Sequence, residues 1–181
     1  MRALSTLLCV CLLLAPIGAF AQPKMDIKGV RPGMRLGDVE GLIKANNWFC
    51  VTGIMFGPGW NCRLESNVLH ISKYQALDVA GTVYFRFASG GSAADILANV
   101  EATYAIKLKR NHQDDPSQLM FSADLGNDLV LELSNMYHLR GAYVSPEDTV
   151  WGLMLKNPVL DSAEQKALSA KRLQEKPLPK F

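Results

Sequence analysis

Cys50 and Cys62 are the side chains best suited to covalent chemistry, followed by three histidines and a few paired carboxylates. Of the four cysteines, Cys9 and Cys11 fall in an apolar leader and leave with it. The remaining pair, with eleven residues between them, reads most simply as a disulfide formed in an oxidising compartment. Closing so short a loop stabilises a fold by roughly 3 kcal/mol in the chain-entropy picture. A redox dithiol favours Cys-x-x-Cys at a helix start, whereas strand and turn sequence separates these two. A metal site needs a second clustered pair of ligands, and the chain offers none.

His70, His112 and His138 are the side chains that titrate near neutral pH. They are scattered, and no His-x-x-x-His or His-Glu pair sets two ligands on one helical face. A hydrolase nucleophile on a strained Gly-x-Ser-x-Gly turn is absent, and so is a phosphate loop of the Gly-x-x-x-x-Gly-Lys type. Turn formation and helix capping account for Ser89 and Ser92, which flank Gly90-Gly91. Asp114-Asp115 and Glu147-Asp148 each lie beside a proline and read as solvated turns. The Asp124 to Asp128 turn lacks the alternating oxygen ligands of a calcium loop. These residues predict neither cofactor nor metal, and a protein that acts without catalysis.

Binding chemistry is better represented. Trp, Tyr and Arg are enriched where proteins meet, and Phe56 and Trp60 edge a Gly-Pro-Gly turn while Tyr84 and Arg86 share the wet side of a strand. These four are the candidate contact residues. The alternative is that Trp60 covers the disulfide and Tyr84 packs beneath the C-terminal helix.

The elements that must position them follow from patterning. Arg2, an apolar run from Leu7 to Leu14 and the small-residue site Ala19-Phe20-Ala21 read as a secretory signal over residues 1–21, cleaved after Ala21 into the periplasm or the medium. The run is short for a membrane span, and no small residues precede Cys9 or Cys11 as a lipid anchor requires. Of the chain's 181 residues, 160 remain, enough for one domain over 22–160. Losing Arg2 leaves 18 basic residues against 17 acidic. So even a balance gives no footprint for nucleic acid and no polybasic patch for anionic lipid, and the mature chain is not expected to insert stably into a membrane.

From Ile27 the chain runs extended through Val30, turns at Pro32-Gly33 and enters a helix with Leu36, Val39 and Ile43 on one face, closing near Asn46-Asn47. Met34 and Val39 have the spacing of a hydrophobic staple. Arg35 at the N-cap offers no acceptor, which leaves Asp38 to favour the positive helix end. Strands are predicted over Trp48 to Ile54, Cys62 to Leu64, Val68 to Ile71 and Thr82 to Ala88, the last with Val83, Phe85 and Phe87 opposite Tyr84 and Arg86. A second helix starts at Ala93 under a Ser92 cap with Asp95 at N3 and runs to about Ile106. Further strands follow over Gln118 to Ala123, Leu129 to Leu133 and Thr149 to Leu155, the last apolar on both faces and therefore in the middle of the sheet or beneath a helix; Tyr137 to Val144 is ambiguous. Asp161 and Glu164 have capping-box spacing at the head of a polar helical tail, 161–181, that is expected to fray. The fold class is α+β, an antiparallel sheet covered on one face by helices, with the order helix, strands, helix, strands suggesting two α-β repeats.

The glycine of Gly29, the Gly33-Met34 pair at the helix start and the apolar helix after it resemble the SmpA/OmlA outer-membrane assembly lipoproteins and the β-lactamase-inhibitory-protein fold over about twenty residues. The resemblance implies a helix packed on an antiparallel sheet and a protein that works by binding other proteins. Arg35 stands where those families place a threonine cap, and the lipid-attachment cysteine is missing. No functional residue transfers. The resulting expectation is a binding module of the cell envelope, an assembly factor or inhibitor with a protein partner. The competing expectations are an envelope hydrolase whose site is assembled from dispersed residues, with His138 or His70 beside a carboxylate, and a small-ligand carrier using the space between helix and sheet.

Overall fold

The computed structural model describes residues 24–53, 58–89, 91–111, 119–135 and 149–175. The leader, Phe56, His112, His138, the segment from Tyr137 to Val144 and the last six residues lie outside them. The chain is an α+β fold built on one eight-stranded, wholly antiparallel sheet. Helix α1 (Leu36–Ala45) leads into the meander β1 (Phe49–Gly53), β2 (Gly59–Leu64), β3 (Asn67–Tyr74) and β4 (Val79–Ser89). Helix α2 (Ala93–Tyr104) leads into β5 (Lys109–Arg110), β6 (Met120–Gly126), β7 (Leu129–Asn135) and β8 (Thr149–Lys156), and α3 (Pro158–Glu175) closes the chain. In space the order is β1-β2-β3-β4-β8-β7-β6-β5. Each half is thus a helix followed by a four-stranded meander, and the last strands of the two halves meet at the centre.

The first helix forms as its sequence predicts. Pro32 and Gly33 make the turn before it, Gly33 at φ 83° with the Met34 amide donating to the Arg31 carbonyl, the geometry that needs glycine at the third position. Arg35 gives no side-chain cap. Asn47 at φ 52° ends the helix in the left-handed region. The run from Ile27 to Val30 is not extended: Lys28 and Gly29 both have positive φ, and Ile27 and Val30 exchange amide bonds of 2.9 and 3.0 Å in a two-residue turn. Burial of Ile27 and Val30 at its two ends fixes that turn.

Ser92 caps α2 by accepting from the Asp95 amide at 3.2 Å, and Ala105 at φ 53° terminates it one residue after Tyr104. Beyond the end, Glu101 receives the Lys107 ammonium at 2.6 Å and the Leu108 amide at 2.9 Å. Helix α3 begins three residues earlier than its predicted cap. Asn157 accepts from the Val159 and Leu160 amides at 3.0 Å each, and Pro158 occupies the first helical position, where a missing N–H costs nothing. Asp161 and Glu164 are spent differently. Asp161 accepts from the Tyr74 hydroxyl, and Glu164, 7% exposed, takes the Ala76 and Leu77 amides at 3.1 and 3.2 Å. The acidic pair therefore binds the β3–β4 turn to α3.

The register places Cys62, Leu69, Phe85, Leu153, Leu133 and Phe121 in one row across the sheet, with Trp60, Ile71, Val83, Leu155, Leu131 and Ala123 in the next. Both rows lie on the face where Val39 of α1 and Ile96, Val100 and Tyr104 of α2 complete the core. Strand β8 is central, between β4 and β7, in keeping with its unbroken apolar sequence. Among the described residues, no helix is long and apolar enough to cross a membrane.

Candidate binding face and its geometry

The Cys50–Cys62 disulfide is present and joins register partners on β1 and β2. Both cysteines belong to the core face, Cys62 at 0% exposure. Strand alternation then forces their neighbours Phe49, Val51 and Arg63 onto the opposite face. Phe49 and Val51 are 72% and 51% exposed.

That opposite face carries two rows of its own. Phe49, Arg63, Val68, Arg86, Gly152, Ser134 and Met120 stand in one, and Val51, Asn61, His70, Tyr84, Met154, Glu132 and Ser122 in the other. At its β1 end, Phe49, Val51, Val68, Arg63 and Arg86 line a groove of about 390 Å³, with Glu65 at its rim. Arg63 and Arg86 stand two strands apart in that row, on either side of Val68, with the apolar side chains beside them.

Toward the centre the face is stiffened by packing. His70 is 3% exposed, and its Nδ1–H donates to Asn61 Oδ1 at 2.8 Å; burial disfavours the imidazolium and pushes the pKa below its ordinary value. Gly59 permits this, because a Cβ there would lie 2.4 Å from the Ile71 carbonyl oxygen and 3.0 Å from the His70 ring. Tyr84 lies over Gly152, whose absent Cβ would stand 2.5 Å from the phenol oxygen. Burial raises the Tyr84 pKa, and the Arg86 charge offsets part of the rise. Farther along, Glu132 binds Lys156 at 2.5 Å and Ser122 donates to Asn111 at 2.9 Å.

Tyr84 and Arg86 thus share one face, as their alternation predicts. Trp60 does not join them. It is 7% exposed on the core face, with the Lys73 ammonium 3.7 Å from its ring centroid, and is not presented at a loop tip. Tyr74 meets the C-terminal helix, its hydroxyl donating to Asp161. Phe49, Val51 and Arg63 escaped sequence reasoning, although the signal was available: once Cys50 and Cys62 are paired inside, the odd-offset residues beside them must point out. His70 has the Asn61 amide against Nδ1, and the carboxylate of its own row, Glu132, is three strands away, roughly 14 Å at ordinary strand spacing. No group of three or more metal-ligating side chains occurs among the described residues.

These features define an α+β protein with a helix-covered inner face and an outer face of mixed apolar and cationic character. Comparison with protein-family models, curated proteins and solved structures finds no match to this chain.

Proposed function

We propose that this is an exported binding module of the cell envelope that acts by gripping another protein on the outer face of its sheet, as an assembly factor or an inhibitor. The observation that carries this reading is the Phe49, Val51, Arg63 and Arg86 groove, which pairs large exposed apolar side chains with two guanidinium cations. Exposed apolar surface beside arginine is what a protein interface needs and what a free surface avoids. Strand β1 adds a second means of attachment, because among the described residues it pairs only with β2 and leaves an outer edge where a partner strand can add. The disulfide suits the oxidising periplasm, and the leader read over residues 1–21 supplies the route there.

The test is photocrosslinking in cells with a photoreactive residue at position 51 or 86, and at the exposed position 168 of α3 as control. One discrete protein adduct from 51 and 86, absent from 168, with the adduct from 51 lost in Arg63→Glu/Arg86→Glu, is the expected result. Adducts equal at all three positions, or none at 51 and 86, overturn the proposal.

A further inference from the structure

The helices cover the inner face incompletely. In the row that contains Leu69, Phe85, Leu153 and Leu133, the leucines are at most 5% exposed, yet Phe85, and Phe87 two residues on, are only partly buried. They form the floor of a second groove, about 480 Å³, between α2, β4 and the lead-in from Lys24 to Lys28. Leu153 extends the floor, and Ile96 and Val100 of α2 make the wall. This volume is that of a site for one small molecule.

Charge identifies the occupant's polar end. Lys28 Nζ stands 5.3 Å from the Phe85 ring centroid and Lys24 Nζ 5.9 Å from that of Tyr104, so two ammonium groups sit above apolar surface at the groove's mouth. No carboxylate is among the described residues lining it. Asp26, the nearest acid in sequence, has one oxygen on the Gly29 amide at 2.7 Å and only 3.9 Å from Lys24, an exposed pairing that leaves the lysine available to a ligand. The polar part of the lining is neutral: Asn67, Ser89, Asn99 and Thr103. An apolar trough of single-molecule size with cations at one end fits an amphiphile whose chain lies on Phe85 and Phe87 and whose anionic head meets Lys24 and Lys28.

We infer that this groove binds the anion of a long-chain fatty acid, one acyl chain per protein molecule. The inference is independent of the outer-face reading, because the groove lies on the other side of the sheet.

Isothermal titration of the purified mature chain with oleate, oleyl alcohol and dioleoylphosphatidylglycerol vesicles tests it. Oleate is expected to saturate at one equivalent, with oleyl alcohol about tenfold weaker for lack of the charge. Lys24→Glu/Lys28→Glu should weaken oleate by at least about tenfold while leaving the alcohol unchanged. Thr103→Trp, an exposed substitution on α2 that fills the trough, should abolish binding of both. A wild-type melting temperature in each variant excludes misfolding, and the lysine variant decides alone if Thr103→Trp unfolds. Absence of oleate binding, oleate affinity unmoved by the double charge reversal, or binding to vesicles without binding to oleate overturns the inference, the last in favour of a membrane surface.

Discussion

At the scale of single residues, the outer face is set by two glycines and the rings they admit. Gly59 lets the chain close on the Ile71 carbonyl and on His70, and Gly152 lets Tyr84 lie flat. Gly59→Ala meets backbone at 2.4 Å and is expected to cost about 1–3 kcal/mol in urea denaturation, the usual penalty of overpacking. His70 makes stability depend on pH with a definite sign. Its folded-state pKa lies below the ordinary value of 6.5, so between the two values the unfolded chain binds more protons and stability rises with pH. The melting temperature should therefore fall as pH drops from about 7.5 to 5.5, and His70→Gln should flatten that slope. Glu101, held below its ordinary range chiefly by Lys107, contributes stability that is present above the unfolded carboxylate pKa and is lost only in more acidic solution. The Glu101 window opens at lower pH than that of His70. A slope near neutral pH that persists in His70→Gln would refute the assignment.

At the scale of elements, two fasteners hold pieces that their own sequences would leave loose. The β1–β2 hairpin lies at the sheet edge, and β1 buries little besides Cys50. Cys50→Ala/Cys62→Ala is expected to lose about 2–4 kcal/mol, with amide exchange rising first in residues 49–53. The second fastener is Glu164. In a polar helix with scant apolar surface, Glu164 works beside Asp161 and satisfies two turn amides, and Glu164→Ala should cost about 1–3 kcal/mol by leaving those donors without an acceptor. Faster exchange at Ala76 and Leu77, with no change in Gln165→Ala, distinguishes this from loss of helix propensity. Asp161 and Glu164 were legible as a capping pair by spacing alone. Asn157-Pro158 outcompeted them because it satisfies the first amides directly, which freed the acids for contacts some ninety residues back in the chain.

At the scale of the whole molecule, the repeated order of helix and four-stranded meander makes the β4–β8 seam the joint between halves. Val83 faces Leu155, Phe85 faces Leu153 and Phe87 faces Trp151 across it. Leu155, fully buried there, belongs to both halves at once through Val83 and Leu131. Leu155→Ala should remove about 2–5 kcal/mol and still unfold in one step, with tryptophan fluorescence and far-ultraviolet circular dichroism giving coincident transitions. Separate transitions would mean that the halves fold independently and that the seam is only a contact.

The sequence by itself determined the helices α1 and α2, the alternation in β4, the two-sided apolar character of β8 and the pairing of Cys50 with Cys62, because each depends on periodicity, capping or cysteine arithmetic within a short stretch. It also placed Tyr84 and Arg86 on one side of a strand. Only the tertiary structure decided that Trp60 lies inside, that Phe49, Val51 and Arg63 line one groove with Arg86, and that Phe85 and Phe87 floor a groove that Lys24 and Lys28 also line. Those outcomes depend on strand register and on which helix covers which row. Both are settled by contacts between residues far apart in the chain, and no local pattern records them.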